Sequence, residues 1–258
     1  MSAVAISGSD GVLRITLDRP EKLNAIDGEL ADAVRAGIDR ARADESIRAV
    51  VLAANGRGFC AGQDLSDPNA APGKNLGLLL ERHYNPLIRA MRALPKPIVA
   101  RVNGVAAGAG ANLAFAADIV IAARSASFIE SFSRIGLLPD SGGTWMLPRL
   151  IGHARASAVA MLGEKFSAEQ AQAWGAIWQA VDDDQLESVC ERIVAQLAQA
   201  PTLALAAIKT ALHDAWMRDL DAALEAEREL QSELGASDDF REGVEAFAAK
   251  RQPSFRGR

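Results

Sequence analysis

The chain has 258 residues, of which 49% are apolar and 24% charged, so collagen-like, disordered and coiled-coil proteins are excluded. That length predicts one large core with an appendage rather than two equal domains. The net charge of -5 argues against nucleic-acid binding, because a mildly acidic protein is not built to neutralise phosphate backbones.

Cysteine content and hydropathy indicate the class of protein and the cellular location to be expected. Cys60 and Cys190 are too few for a disulfide framework, and each is predicted to be a small buried hydrophobic residue. The N-terminal residues show no basic segment followed by an apolar run, so no signal peptide is visible. The most apolar stretch, 105–117, is interrupted by Asn112 and falls short of the ~18 apolar residues of a membrane span. We therefore expect a soluble, cytoplasmic α/β protein with no membrane partner.

The first half of the chain alternates predicted strands and helices. Alternating residues predict a strand over 12–17, and Asp27 is a suitable N-cap for an amphipathic helix to residue 43. Short apolar runs at 49–53, 98–102 and 118–122 predict buried strands. Between them lie a polar loop (55–73), a helix (76–93), a glycine-rich turn (104–110) and a short helix to residue 116. Strand, glycine-rich loop, helix and strand thus occur twice in succession, which is typical of parallel strand pairing.

The second half is predicted to be mainly helical. Helices are expected at 142–150, 153–162, 167–173, 183–199, 202–216, 218–234 and 238–250. The last of them are amphipathic and must bury their apolar faces on the core, on each other or on another subunit. We predict a core over 1–199, which holds the site, and a helical region over 200–258.

Several common motifs are absent from the sequence. His83, His153 and His213 stand alone, without the close spacing of a zinc site. There is no GxSxG elbow and no GxxxxGK[ST] loop. Gly108–Leu113 nearly matches the dinucleotide fingerprint, but Leu113 replaces its third glycine.

Two glycine-rich loops remain, and each follows a predicted buried strand. They are GRGFCAGQDL at 56–65 and NGVAAGAGAN at 103–112. Small residues let a ligand approach the backbone, and helix N-termini leave N–H groups unpaired. On neighbouring parallel strands such loops face one crevice, which favours an oxygen that becomes negative, such as a thioester carbonyl turning into an enolate. The alternative is a pair of tight turns that need glycine for steric reasons only.

The motifs FCAGQDL, NGVAAGAG and IGLLPDSGGTWMLPRLIG, with RPEKLNAID near the start and AFAAKRQPSF near the end, resemble the enoyl-CoA hydratase/isomerase (crotonase) superfamily. The resemblance covers essentially the whole chain. It implies an α/β crotonase fold, a spiral of ββα units, with C-terminal helices that pack against other subunits of a homotrimer or a dimer of trimers. It also implies an acyl-CoA thioester substrate. No metal or redox cofactor is implied, because the CoA is part of the substrate.

The resemblance also assigns catalytic roles. The backbone N–H groups of Gln63 and Ala109 are expected to form an oxyanion hole. Asn112 and Phe132 occupy the positions of the two hydratase glutamates, and neither side chain can take a proton from water. Asp140 matches the catalytic aspartate of the family branch that converts the ring epoxide of phenylacetyl-CoA to an oxepin. We therefore expect a single-carboxylate isomerase that also converts 3-enoyl-CoA to 2-enoyl-CoA.

Other roles stay open for the protein and for single residues. The protein could instead be a general Δ3,Δ2-enoyl-CoA isomerase or an enoyl-CoA hydratase of fatty-acid breakdown, or a non-catalytic acyl-CoA binding protein. By local sequence alone, Asp140 favours an N-cap role and Asp64 a turn role through bonds to nearby backbone. Glu130 is a weaker candidate acid, which in a strand would face the same side as Phe132.

The resemblance finally implies contacts to substrate and CoA. These residues are Lys22, Asn24, Ala25, Ala61, Gly62, Asp64, Leu65, Gly108, Gly110, Asn112, Phe132, Phe247 and Lys250. The last helix is expected to reach the CoA of the same or a neighbouring subunit, although Lys250 also fits a solvated surface charge. Four aromatic residues are candidate walls of an acyl pocket or plain core residues: Phe59, Tyr84, Phe132 and Trp145.

Overall fold

The computed structural model describes residues 3–258, which form two β-sheets surrounded by helices. The strands are β1 (Val4–Ser9), β2 (Val12–Leu17), β3 (Ala49–Ala54), β4 (Gly58–Cys60), β5 (Ile98–Val102), β6 (Val105–Ala107), β7 (Ile119–Ala123), β8 (Ser127–Ile129), β9 (Lys165–Ser167) and β10 (Gln179–Val181). The helices are α1 (Gly28–Ala43), α2 (Leu76–Leu79), α3 (Asn85–Arg92), α4 (Ala109–Phe115), α5 (Gly143–Ile151), α6 (His153–Leu162), α7 (Ala168–Trp174), α8 (Leu186–Gln199), α9 (Thr202–Ala215), α10 (Leu220–Gly235) and α11 (Asp238–Ala248).

The two sheets divide the strands in a regular way. The larger sheet has the order β1-β2-β3-β5-β7-β10 and is parallel from β2 onward. The smaller sheet has the order β4-β6-β8-β9, with β4, β6 and β8 parallel and β9 antiparallel. The successive pairs β3/β4, β5/β6 and β7/β8 each send one strand into each sheet before the chain turns into helices. This is the predicted spiral of ββα units, and the fold class is confirmed.

Most predicted elements are present. Apart from β1, for which the sequence predicted no strand, the differences lie in short pieces. Asp27 caps α1 by accepting a hydrogen bond from the Leu30 N–H, as its position predicts. The helix predicted over 76–93 contains a π-helical segment, Leu80–Tyr84, between α2 and α3. The strands β4, β6, β8, β9 and β10 have three residues each, too few for an alternating pattern to show. Two of them, β4 and β6, therefore lie in the segments 55–73 and 104–110, which the sequence predicts to be a loop and a turn.

The C-terminal helices are attached to the core by buried polar contacts. The ammonium of Lys209, on α9, donates to the carbonyl of Met91 (2.9 Å) and pairs with Asp118 (2.9 Å). The guanidinium of Arg48 donates to the Thr202 hydroxyl (2.9 Å) and the Phe255 carbonyl (2.8 Å). Large apolar side chains on the outer faces of these helices stay exposed, namely Ile208, Leu212, Leu220, Leu224, Phe240, Val244 and Phe247. The division after residue 199 stays a prediction.

Two further observations concern membranes and cysteines. Across residues 3–258, none of the helices combines the length and the apolar character that crossing a bilayer requires. Cys60 and Cys190 are both free and buried, as predicted. Burial raises the pKa of the Cys60 thiol to about 12, so this residue is not a nucleophile at neutral pH.

Candidate active site

Two loops, one after β4 and one after β6, pack backbone against backbone. Gly62 has φ +88°, and a Cβ atom on it would lie 2.6 Å from the Ala107 oxygen and 3.6 Å from the Ala109 nitrogen. A Cβ atom on Gly110 would lie 2.4 Å from the Cys60 oxygen. Close approach therefore requires glycine at both positions, and at Gly62 the backbone conformation requires it as well. The packing brings Gln63, next to Gly62, beside the start of α4.

The backbone N–H groups of Gln63 and Ala109 have no hydrogen-bond partner among the residues that the structure describes. Ala109 is the first residue of α4, so its N–H has no partner within the helix. At Gln63, the flanking residues Gly62 and Asp64 make the backbone bonds to Ile26 instead. Among the hydrogen bonds of residues 3–258, none uses either N–H. Two free donors in adjoining loops can stabilise an oxygen on which negative charge develops.

A cavity of about 430 Å³ opens beside these donors. Its lining comprises Ala61, Gly62, Gln63, Leu65, Ala70, Leu76, Gly77, Leu79, Leu80, Gly108, Ala109, Ser131, Phe132, Ile135, Leu137, Leu138, Pro139 and Asp140. In the part of the chain that the structure describes, Asp140 is the only ionisable side chain in this lining. An apolar cavity with one carboxylate and two backbone donors suits an apolar acyl group with one reacting end.

Asp140 begins a tight turn that ends at α5. The Gly143 N–H donates to the Asp140 carbonyl (2.8 Å), across Ser141 (φ +49°) and Gly142 (φ +82°). The amide of Asn112 donates to the same carbonyl (2.9 Å), and the Ser141 hydroxyl donates to the carboxylate (3.0 Å). Gly142, not Asp140, is the residue before α5, and no side chain caps the helix. The N-cap alternative for Asp140 is therefore wrong, and Asp140 is instead a residue of the cavity lining.

The surroundings of Asp140 tune its acidity. Burial raises the pKa of its carboxyl to about 6, against the opposing effect of the hydrogen bond from Ser141. A carboxyl group with a pKa near neutrality takes and returns protons efficiently, since both its forms are accessible. The cavity thus holds a group suited to general acid–base work.

Glu130 and Phe132 do not share a strand. Glu130 follows β8, and Phe132 lies in a 3-10 helical segment, Ser131–Ile135. The expectation that both side chains face one side is wrong, because the chain leaves the sheet after Ile129. Phe132 lines the cavity, whereas Glu130 is fully buried and does not. Burial, together with the charge of Asp140, raises the pKa of Glu130 to about 8 despite the hydrogen bond from Asn112.

Asp64 holds the first loop through charged partners. Its carboxylate accepts from Arg19 (2.9 Å), from Lys22 (2.8 Å) and from the Ser66 backbone N–H (3.0 Å). Burial raises the pKa of Asp64, but the hydrogen bonds from Lys22, Ser66 and Arg19 outweigh it and hold the pKa well below its usual range. Asp64 is therefore ionised and bonded to nearby backbone, as the turn interpretation predicts. Sequence patterns gave no signal for Arg19.

The other predicted CoA contacts near the N-terminus lie next to this loop. Asn24 is fully buried, and its amide donates to the carbonyls of Asn55 (2.9 Å) and Gly58 (3.0 Å). Ala25 is also buried, and its carbonyl accepts from Arg19 (2.9 Å). These contacts hold the loop in shape, and binding of CoA at these positions stays a prediction.

The aromatic candidates separate into three groups. Phe132 lines the cavity, whereas Phe59 is fully buried in the core and Trp145 packs against Trp216 at 5.1 Å between ring centroids. Phe59 and Trp145 are therefore not cavity walls. Tyr84 lies behind the cavity, where its hydroxyl hydrogen-bonds the side-chain oxygen of Gln63. The aliphatic walls, such as Leu79 and Leu137, were not anticipated, since isolated leucines resemble ordinary core residues.

Phe247 and Lys250 lie outside this cavity. Phe247 is 88% exposed and lines a separate apolar groove of about 410 Å³, with Leu203, Phe240 and Phe255. Lys250 is exposed just after α11 and lines neither this groove nor the cavity. Their contact with CoA stays a prediction.

Comparisons with known proteins agree with this architecture. Residues 7–258 match the enoyl-CoA hydratase/isomerase family. A 1,2-epoxyphenylacetyl-CoA isomerase from Escherichia coli is 50% identical over 251 residues, covering 96% of each chain. A probable enoyl-CoA hydratase from Rhodobacter capsulatus is 51% identical over 250 residues, covering 97% of this chain and 96% of the relative. The crystal structure of an enoyl-CoA hydratase from a Polaromonas species superposes with a TM-score of 0.92 at 34% identity, covering 98% of this chain and 99% of that one.

Proposed function

This chain belongs to the enoyl-CoA hydratase/isomerase family, and we propose that it is an acyl-CoA isomerase whose acid–base group is Asp140. The proposed substrate is 2-(1,2-epoxy-1,2-dihydrophenyl)acetyl-CoA, and the product is the oxepin thioester. One observation carries the proposal: Asp140 is the single ionisable side chain of the described cavity lining, beside two free backbone donors. The similarity to the Escherichia coli isomerase supports the choice of substrate.

The proposed reaction begins with the thioester oxygen between the N–H groups of Gln63 and Ala109. The Asp140 carboxylate takes a proton from the carbon next to the thioester carbonyl and becomes a carboxylic acid. The ring carbon–carbon bond that the epoxide bridges opens while both C–O bonds remain, which makes the ring seven-membered. The enolate electrons form a double bond between the α carbon and the ring, and the electrons of the neighbouring ring double bond take up the proton that Asp140 returns to the next ring carbon, so no atom is gained or lost. Loss of one oxyanion donor in such sites typically costs about 2.7–4 kcal/mol in the transition state.

The same groups account for a simpler isomerisation. Removal of a proton from C2 of a 3-enoyl-CoA gives a dienolate, and Asp140 returns the proton to C4. The double bond then lies between C2 and C3. A single carboxylate suffices because the same proton is taken and returned, and no water is consumed.

Hydration is the competing reaction, favoured by the likeness to the Rhodobacter capsulatus protein. It requires a group that activates water in the cavity. Phe132 cannot do so, and Asn112 and Glu130 are fully buried behind the cavity rather than in its lining. These positions favour isomerisation.

The proposed assembly is a homotrimer or a dimer of trimers, in which the exposed apolar faces of α9–α11 meet other subunits. Predominant monomers in analytical ultracentrifugation at micromolar concentration would contradict it. The C-terminal residues Phe247 and Lys250 are proposed to contact CoA, within one subunit or across two. Truncation of both side chains is then expected to raise KM for acyl-CoA more than it lowers kcat.

Turnover of the wild type and of Asp140→Asn tests the function. The assay uses 3-enoyl-CoA, the ring epoxide of phenylacetyl-CoA and, for hydration, crotonyl-CoA. We expect both isomerisations to fall by roughly 10²- to 10⁴-fold in D140N, the usual contribution of a positioned acid–base group. The exposed Asp184→Asn variant is the matched control and is expected to keep wild-type rates.

Three results would contradict the proposal. Full isomerase activity in D140N would remove Asp140 from the mechanism. Crotonyl-CoA hydration without isomerisation would indicate a hydratase. Binding of acyl-CoA without any turnover would indicate a binding protein. The ratio of the two wild-type rates decides between the aromatic and the aliphatic acyl group.

A further inference from the structure

Asn112 and Glu130 form a buried polar pair directly behind the Asp140 turn. Both side chains are fully buried. The Asn112 amide nitrogen lies 3.4 Å from Glu130 Oε2 and 2.9 Å from the Asp140 carbonyl oxygen. One further oxygen on each side chain, Asn112 Oδ1 and Glu130 Oε1, is buried with no hydrogen-bond partner among residues 3–258. Two orphaned oxygens on neighbouring side chains are costly and call for a physical explanation.

We propose that Glu130 is a positioning residue, which orients the Asn112 amide and, through it, the turn that carries Asp140. The inference rests on the proposed function, because it concerns how Asp140 is held for proton transfer. Glu130 itself touches neither the cavity nor the reacting atoms.

The pair is satisfied when Glu130 is a carboxylic acid. Both orphaned oxygens are acceptors as they stand, so a donor is needed, and a proton on Glu130 supplies it. A carboxylic acid accepts from the amide N–H with one oxygen and donates to the amide oxygen with the other. No Lys, Arg or His in the described chain forms an ion pair with Glu130, and Asp140 is the charged group that acts on it. Burial and the charge of Asp140 both disfavour the ionised form, and they raise the pKa of Glu130 to about 8.

The turn needs such support. Ser141, directly after Asp140, has φ +49°, a left-handed backbone that a residue with a side chain adopts at a cost in energy. The hydrogen bond from Asn112 reaches the first carbonyl of this strained turn. A Cβ atom on Gly143, the last residue of the turn, would lie 2.4 Å from the Asn112 amide nitrogen. The amide is thus packed directly against the backbone that places the Asp140 carboxylate.

Ionisation of Glu130 should disturb the site. It removes the donor that Asn112 Oδ1 needs and adds a negative charge close to Asp140. Activity is therefore expected to need Asp140 ionised and Glu130 neutral. The dependence of kcat/KM on pH then has an acid limb near the Asp140 pKa of about 6 and an alkaline limb near the Glu130 pKa of about 8.

The test is the pH profile of 3-enoyl-CoA isomerisation in the wild type and in Glu130→Gln. Glutamine offers an N–H in place of the acid O–H and does not ionise. E130Q is expected to keep most of the activity at pH 7 and to lose the alkaline limb. Glu130→Leu, which cannot hold Asn112, is expected to lower kcat by roughly 10- to 100-fold with little change in KM. The exposed Glu164→Gln variant is the matched control and is expected to keep both limbs.

Infrared spectroscopy gives a readout that does not depend on activity. A buried protonated carboxyl produces a carbonyl stretch, and the stretch of Glu130 is expected at pH 7 as the difference between the wild-type and E130Q spectra and is expected to persist in D140N. An alkaline limb that is unchanged in E130Q, or the absence of this band from the wild type, would overturn the proposal. If the protein turns over neither isomerase substrate, the proposed function fails, and the infrared band alone still decides the state of Glu130.

Discussion

Gly62→Ala tests whether the close approach of the two loops creates the oxyanion hole. The added Cβ atom would lie 2.6 Å from the Ala107 oxygen, which is backbone and cannot swing away. The loops must separate, and the N–H groups of Gln63 and Ala109 lose their common target. Displacing one donor is expected to lower kcat by roughly 10²- to 10³-fold, equivalent to about 2.7–4 kcal/mol. The free energy of unfolding is expected to fall by about 2–5 kcal/mol, through left-handed strain and overpacking together.

Gly73→Ala separates these two causes. Gly73 has φ +86°, almost the φ of Gly62, but a Cβ atom there meets nothing within 4 Å. This variant is expected to acquire only the backbone strain, which lowers the free energy of unfolding by about 1–2 kcal/mol, and to keep its kcat. The measurements are urea unfolding and the rate at which each variant isomerises 3-enoyl-CoA at saturating substrate.

A folded G62A protein with wild-type kcat would refute this account of the loops. If G62A does not fold, an amide-to-ester replacement at Ala109 tests the same donor without adding a Cβ atom. That replacement removes the N–H alone, and an unchanged kcat would again refute the role of the donor.

Three further predictions concern stability. Because the pKa of Asp140 is raised to about 6 in the fold, the native state loses stability as pH rises through the window from about 4 to 6. D140N should therefore raise the free energy of unfolding at neutral pH by up to about 3 kcal/mol and change it little near pH 3, in thermal scans at both values. Lys209→Met should cost about 3–5 kcal/mol in urea unfolding, because it leaves the largely desolvated Asp118 carboxylate without its lysine partner, and adding Asp118→Asn should recover part of the loss. Asp64→Asn should cost about 1–3 kcal/mol at neutral pH, since Arg19 loses an ionised partner. Because the pKa of Asp64 is depressed, this difference should shrink as pH falls below about 4 in the same unfolding assay.

The order of the main elements could be predicted because their signals are local. The helix after Asp27 and the buried strand over 98–102 depend on periodicity, capping and apolar runs within a few residues. The three-residue strands β4 and β6 escaped prediction, because so short a strand is stabilised by its neighbour in the sheet and not by its own pattern. The π-helical segment Leu80–Tyr84 was not predicted either, because helical periodicity indicates only that the chain is helical there and not which type of helix it forms.

The sequence by itself singled out the two glycine-rich loops and Asp140, because their residues match a family motif, and the structure brings Gln63, Ala109 and Asp140 to one cavity. Only the tertiary structure decided what surrounds them. It placed Asp140, half-buried, in an apolar cavity, where desolvation raises the pKa of its carboxyl to about 6. It placed Phe132 in the lining and Glu130 behind it, although the two are two residues apart. Burial, desolvation and unpaired polar atoms depend on the elements that pack around a side chain, and those elements come from distant parts of the chain.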